Sequence, residues 1–424
     1  MRRKLLFSLV IILTLGLSAM TTMAQERPVV TIYGAYTAGA DQDIFMQDLT
    51  AFADANNITI VYEGDADFEA NVAGRIADTT PDIVGYPQPA LLLANAESAV
   101  DLRDVFEMSY LQSQYNQSYI DLTTTPEGKV AGIWGRSTLK SLVWYSPSCF
   151  ASAGYTVPAT WEELVNLTDQ IVADGNIPWV VSMENGDLTG EAGTDWLEDI
   201  LLRTTTLENY DRWTGLSEDT RLPFASAELR RAWSIMAYFL MTPNHVLGGV
   251  DGMLSQPSTD TGLPLLDCSA YLTKSGSDLR GLILDEQPDL NIAPDGDLFY
   301  FYFPAIDVQY GLPALIGGEA YALYSTSDEA RLVMEFLSTP DSLASSMAEG
   351  VYLAPHLTAD LRAYPDAYRP LGEILLQSTV VRFDGSAVMP TAVGLDAFPK
   401  GIVDYLIGVD VETILGELDS AFGE

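Results

Sequence analysis

The sequence predicts an α/β protein. Strand-length apolar runs alternate with helix-spaced segments near the amino terminus. The chain of 424 residues is long enough for two or three domains, and no flexible linker separates them. Residues 1–24 read as an export signal and stand apart from the fold. Arg2, Arg3 and Lys4 form a basic start, Leu5–Leu17 is an apolar run too short to span a membrane comfortably, and Thr22-Met23-Ala24 is a small-residue cleavage site. Beyond it the elements follow in order. Val29–Tyr33 reads as a strand, Asp43–Ala55 as a helix, Ile58–Tyr62 as a strand, Phe68–Ala77 as a helix and Asp82–Tyr86 as a strand. Short connections between them imply parallel pairing with right-handed crossovers. A ligand is then expected beyond the carboxyl ends of these strands, at Gly34–Gln42, Glu63–Asp67 and Tyr86–Pro89.

Further on, Leu142–Tyr145 is an apolar, aromatic strand. Thr160 and Glu163 form a capping box that starts a helix at Trp161. Trp179–Met183 reads as a strand. A helix starts at Asp195 with Glu198 as its cap partner, and another spans Arg230–Met241. Residues 246–297 are rich in Gly, Pro, Ser and Asp and read as loops around short elements. Leu298–Phe303 reads as a strand and is followed by Leu312–Tyr324 with its Gly317-Gly318-Glu319; Thr326 with Glu329 reads as a helix start, and Tyr364–Phe422 as a broken helical tail.

Composition narrows the function. There are 21 basic and 59 acidic residues; loss of residues 1–24 removes three basic ones and leaves −41. Such a surface repels nucleic acid and anionic lipid. It suits a basic partner face or a salty habitat equally. Cys149 and Cys268 in an exported chain permit a disulfide, with two buried free thiols as the other reading. Only His245 and His356 are present, far apart, and no metalloprotease, nucleophile-elbow or phosphate-loop motif occurs. Asp65, Asp67 and Glu69 lack the glycine turn of a calcium loop. No cofactor is expected. A glycosidase needs only two carboxylates, so it stays as the rival class.

Several segments, in this order and spacing, resemble bacterial extracellular solute-binding proteins of family 1, the maltose-binding-like proteins of ABC sugar transporters, and most of all their α-glucoside-binding branch. They are Val61–Gly64 with Asp67–Glu69, Pro81–Pro89, Lys140–Ser146, Thr160–Leu164, Asp169–Gly175, Thr194–Thr204 and Met389-Pro390. The resemblance implies a two-lobed fold with three chain crossings, near Ser141–Tyr145, Phe301–Ala305 and Gly350–Leu353. Lobe one is then 25–142 plus 304–349, and lobe two 143–303 plus 350–424. It also implies a monomer outside the cytoplasmic membrane that closes on a sugar and delivers it to a membrane permease, without catalysis. Another polar solute, such as a polyol, a glycerophosphodiester or a peptide, is the alternative within the same fold. Two departures remove flat apolar surface: Glu191-Ala192 stands where the branch carries Trp-Pro, and Phe398-Pro399 where an aromatic pair ending in Trp is expected.

Sugar recognition uses aromatic faces against C–H surfaces, and carboxylates or amides against hydroxyls. The candidates from the first lobe are Tyr36, Asp41, Asp67, Tyr86, Gln88, Trp134 and Arg136. Those from the second are Asp187, Glu191, Trp196 and Tyr271, and the returning segments add Glu319 and Phe398. Trp134, flanked by Gly132 and Gly135, is expected to touch ligand, whereas Trp196 fits better as helix core than as a ligand contact.

Overall fold

The computed structural model describes residues 27–217, 219–376 and 381–423, so the expected signal segment lies outside the described residues. Two sheets organise them. The first has the order β2-β1-β3-β8-β4, with β9 also pairing with β8. Its strands are Val29–Gly34 (β1), Thr59–Gly64 (β2), Ile83–Tyr86 (β3), Ile133–Leu139 (β4), Ala314–Leu323 (β8) and Val381–Phe383 (β9). The second sheet places Leu142–Tyr145 (β5) between Thr273–Ser275 (β6) and Phe299–Tyr302 (β7).

The amino-terminal reading is borne out. β1 pairs in parallel with both β2 and β3, and helices Ala40–Ala55 and Phe68–Asp78 make the crossovers. β8 then runs antiparallel between β3 and β4. The Thr160 capping box is present in full: Thr160 Oγ1 accepts from Glu163 N, and Glu163 Oε2 accepts from Thr160 N. Cys149 and Cys268 are joined as a disulfide.

Local expectations differ from the structure in five places. Trp179–Met183 is extended but irregular, touching its neighbours through single bridges from Trp179 to Val246 and Leu272. The helix placed at Asp195 begins at Glu191, because Gly190 with φ 108° turns the chain into it earlier. Asp195 therefore sits inside the helix and is no cap. The cap of the Asp328–Leu337 helix is Ser327, whose hydroxyl accepts from Ala330 N, in place of Thr326. The helical tail hides β9, a three-residue strand with no period to read. Finally, the third crossing is not at Gly350–Leu353. Leu353 exchanges two backbone hydrogen bonds with Ser137 of β4, and Val381–Phe383 pairs with β8 of the same sheet. The chain joins the second core only near Met389. Leu353 and β9 thus pair with the first sheet beyond residue 350.

Candidate functional site

Three confluent cavities of about 780, 200 and 160 Å³ run between the strand ends of the first sheet and the helix Glu191–Leu202 with its preceding loop. Glu191 lines all three. The outer cavity has carboxylates on both walls: Asp67 and Glu69 on one, Glu184, Asp187 and Glu191 on the other. Lys140, Asp195 and Asp278 border the middle one. The inner one ends on Gln88, Arg136, Tyr352 and the glycines of β8. A further hollow of about 560 Å³ lies elsewhere, between Ser118–Leu122 and Glu208–Ser217.

Arg136 is held from three sides. Its Nε lies 3.1 Å from Glu319 Oε2. Its guanidinium carbon lies 3.5 Å from the ring centre of Tyr36 and 4.2 Å from that of Tyr352. Glu319 is buried at 1% exposure and also accepts from the Tyr321 hydroxyl at 2.8 Å. Burial opposes the guanidinium charge, but the Glu319 carboxylate, together with Tyr352 and Tyr321, outweighs it and keeps the group charged. Register explains the contact: Arg136 faces Glu319 across the β4–β8 ladder beside a bulge after Trp134. Gly318 permits the strands to close, since a Cβ there would lie 2.4 Å from the Arg136 carbonyl oxygen.

Lys140 holds the second charged knot. Its Nζ donates to Asp195 Oδ1 at 2.8 Å and to Asp384. Asp195, Glu198 and Asp384 lie close enough together to share an ion, and the Lys140 ammonium reaches into that trio. Burial opposes the ammonium, yet these carboxylates raise its pKa well above the usual lysine value. Burial also raises the carboxyls: Glu191 to about 7 despite Lys140, and Asp195 to about 6. For Asp384 the ammonium overcomes burial and holds the pKa below the ordinary value.

The structure brings together part of the expected set. Asp67, Gln88, Asp187 and Glu191 line the outer cavity, and Arg136 with Gln88 and Glu191 the inner one. Tyr36 and Glu319 stand directly behind Arg136. Gln88 is buried; its amide nitrogen donates to Glu69 Oε1 at 2.9 Å while its Oε1 has no partner. Asp41 lies in the Ala40–Ala55 helix, and its side chain is outside the described residues.

Four aromatic expectations, at Trp134, Tyr86, Tyr271 and Phe398, are corrected, and Trp196 lies in the helix core as its spacing favours. Trp134 is 1% exposed, packs on Tyr119 and Phe383, and donates its indole N–H to the Tyr119 carbonyl. Tyr86 is buried on Phe68 and bonded to the Tyr324 hydroxyl. Trp196 packs on Trp179, Phe239 and Phe303. Tyr271 packs on Tyr155 and Phe150, and Phe398 on Trp213 and Phe224. All five fill cores and line none of the three cavities. Conversely, Lys140, Asn185, Asp195, Asp278, Tyr352 and Asp384 line the cleft without having been singled out. Lys140 and Asp195 stand in segments that carry the resemblance; Asp278 and Asp384 are single acids among 59 and give no signal.

An α/β chain that crosses repeatedly between two sheets, with a polar cleft between them and its strongest bases neutralised by its own carboxylates, defines a two-lobed solute-binding protein. A family model described as bacterial extracellular solute-binding protein matches residues 31–246. The osmoprotective compounds-binding protein GgtB of Synechocystis sp. is 34% identical over 406 residues, which cover 94% of this chain and 93% of that protein. The alpha-glucosides-binding periplasmic protein AglE of Rhizobium meliloti is 32% identical over 390 residues, covering 89% and 83%. Among solved structures, the bacterial solute receptor AcbH matches with a TM-score of 0.78 at 16% identity, covering 93% of this chain and 97% of that one. Maltose-bound MalE3 of T. maritima matches at 0.71 and 16% identity, covering 93% and 98%. These two likenesses carry the fold. The chain belongs to the bacterial extracellular solute-binding protein family, the capture components of ABC importers, and is a binding protein, not an enzyme.

Proposed function

We propose that this protein captures a small, uncharged, polyhydroxylated solute of the carbohydrate class in the cleft and presents it to the permease of an ABC importer. The observation that carries this reading is the polar lining of the inner cavity: Gln88 and Arg136 both border it, and each keeps one buried polar atom without a partner, an acceptor at Gln88 Oε1 and a donor at Arg136 Nη1. A hydroxyl both donates and accepts, so a polyhydroxylated solute can match an amide and a guanidinium on the same wall. Carboxylates on both sides of the outer cavity take further hydroxyls. An anion fits poorly, since Arg136 and Lys140 are already matched by Glu319, Asp195 and Asp384. The names of GgtB and AglE, for osmoprotective compounds and alpha-glucosides, point the same way.

Of the cleft's lining, only Tyr352 and Phe383 are aromatic among the described residues. Hydrogen bonding therefore dominates over ring stacking, which favours a one- or two-unit ligand over a long oligosaccharide. The working division is a first lobe of 27–139 plus 304–383 and a second of 140–303 plus 384–423. The mature protein acts as a monomer outside the cytoplasmic membrane, after cleavage near Ala24. Ligand contacts made from both sides at once stabilise the shut form. Moving the closed fraction from 1:99 to 99:1 takes about 5.5 kcal/mol of differential contact.

Calorimetric titration against glucose, galactose, maltose, trehalose, sucrose, maltotriose and a free polyol, with product analysis of each mixture, tests the reading. Saturable binding of at least one neutral member without conversion is expected. Tight binding confined to a phosphodiester or peptide, or hydrolysis of any sugar, overturns it.

A further inference from the structure

The bases along the cleft are matched within the chain, Arg136 by Glu319 and Lys140 by Asp195 and Asp384. Asp278 is not. It lines both the middle and the inner cavity. Among the described residues, no other residue donates a hydrogen bond to its carboxylate. It stands at the N-cap of the short helix Leu279–Leu282, where an aspartate ordinarily accepts from the amides of the first turn, yet its side chain makes no such bond. Burial pushes its pKa up, while its own backbone amide and the Lys140 and Arg136 charges pull it down by less. The fold thus takes an ionisable acceptor out of water and supplies it with no donor, which costs the chain free energy.

The backbone beside this acid is held firmly. Ser277 N donates to the Leu139 carbonyl at 2.9 Å, and Leu139 N donates to Ser277 Oγ at 3.0 Å. The Trp144 indole N–H donates to the Gly276 carbonyl at 3.1 Å. Gly276 leaves the room that the carboxylate occupies, because a Cβ there would lie 2.2 Å from Asp278 Oδ1. The acid is therefore positioned before a solute arrives, and binding has little ordering left to offset.

We propose that Asp278 is a specificity-determining residue of the cleft, whose carboxylate receives a pair of neighbouring solute hydroxyls where the inner and middle cavities meet. The inference rests on the reading of the protein as a binder of neutral polyhydroxylated solutes, and it names the residue that selects among them. An ionised carboxylate only accepts, and its two oxygens take two O–H donors side by side. A vicinal diol supplies that pair. A solute with one of the two hydroxyls missing leaves a buried oxygen without a donor, so the site discriminates by penalty as much as by attraction.

The test uses the full mature chain, the variants Asp278→Ala and Asp278→Asn, and glucose, galactose, maltose, trehalose, sucrose and maltotriose, followed by monodeoxy analogues of whichever sugar binds. Asp278→Ala is expected to bind that sugar about thirtyfold more weakly, and Asp278→Asn, which keeps one acceptor, to fall between it and the parent. One monodeoxy analogue is expected to lose about tenfold on the parent and nothing further on Asp278→Ala, the coupling that direct contact produces. Without sugar, Asp278→Asn is expected to melt no lower than the parent, because the carboxylate has no partner to lose. Parental affinity in both variants, or an equal penalty on parent and Asp278→Ala at every deoxy position, overturns the assignment while leaving the sugar-binding reading intact. A clear drop in the melting temperature of Asp278→Asn overturns it as well, since the fold would then be using the carboxylate. Putrescine binding more tightly than every sugar gives the carboxylate to a cation and overturns the diol. If no sugar binds the parent, the sugar-binding reading falls first and the assignment falls with it.

Discussion

Arg136 is the side chain on which the inner cavity depends. Its partner Glu319 has no route to water, so replacing Arg136 by Met leaves a buried charge without compensation. We expect Arg136→Met to destabilise the fold by about 3–5 kcal/mol in chemical denaturation. The double variant Arg136→Met/Glu319→Gln is expected to recover a large part of that loss. A single variant as stable as the parent would show that Glu319 is solvated. Glu191 sets a different expectation. Its pKa is raised from 4.5 to about 7, by burial first and then by Asp384, Asp195 and Glu69, against the pull of Lys140. A carboxyl raised in the folded state contributes stability that is complete below about 4.5 and is lost as pH climbs through about 7. Ligand affinity runs the other way. The ionised carboxylate is the stronger hydroxyl acceptor. Affinity should therefore rise with pH across about 7, and Glu191→Gln should flatten that rise in titrations between about pH 6 and 8. The acidic and amide part of the site was legible because loop positions after strands carry function. The aromatic part was misread because a tryptophan between glycines looks exposed in sequence. Gly132 and Gly135 in fact make room for core neighbours, with Leu92 and Tyr321 where their side chains would be.

At the scale of elements, what could be read depended on how local each signal was. The Thr160–Glu163 box lies within one turn, and the structure reproduces it. Thr160→Ala should cost about 1 kcal/mol in a denaturant melt, whereas Thr326→Ala should leave stability unchanged, because Ser327 is the cap. The Asp195–Glu198 spacing looked equally cap-like, but both acids answer to distant partners: Lys140 for Asp195, and the amides of Gly385 and Ser386 for Glu198. Spacing along the chain says nothing about such partners. β9 was illegible for the same reason, since its three residues are a strand only because β8 lies beside them. The disulfide ties the Pro147–Ala153 helix to Cys268, 119 residues on. Closing so long a loop restricts the unfolded chain, so Cys149→Ala/Cys268→Ala should lower stability by about 2–5 kcal/mol. Thiol titration of the denatured, unreduced parent should find no reactive cysteine.

The whole molecule shows why the class was readable and the third crossing was not. Alternating strand and helix periods fixed the first sheet, and the aromatic strand at Leu142–Tyr145 fixed the passage into the second. The last passage depends on which core claims Val351–Phe383, and an apolar residue carries no label for one core or the other. Net charge acts at this same scale. With a net charge of −38, the described ion pairs engage only a minority of the 59 carboxylates, and the rest repel one another. At about 10 mM salt the screening length is about 30 Å and the repulsion spans the molecule; at about 0.15 M it is about 8 Å and acts only between neighbours. Compaction raises that repulsion, so the folded state gains more from screening than the unfolded chain. The melting temperature should therefore climb by a few degrees between about 10 mM and 0.5 M sodium chloride, and by the same amount in potassium chloride. A fall over that range would mean that attraction in knots such as Lys140–Asp195–Asp384, which salt weakens, outweighs the repulsion among the unpaired acids.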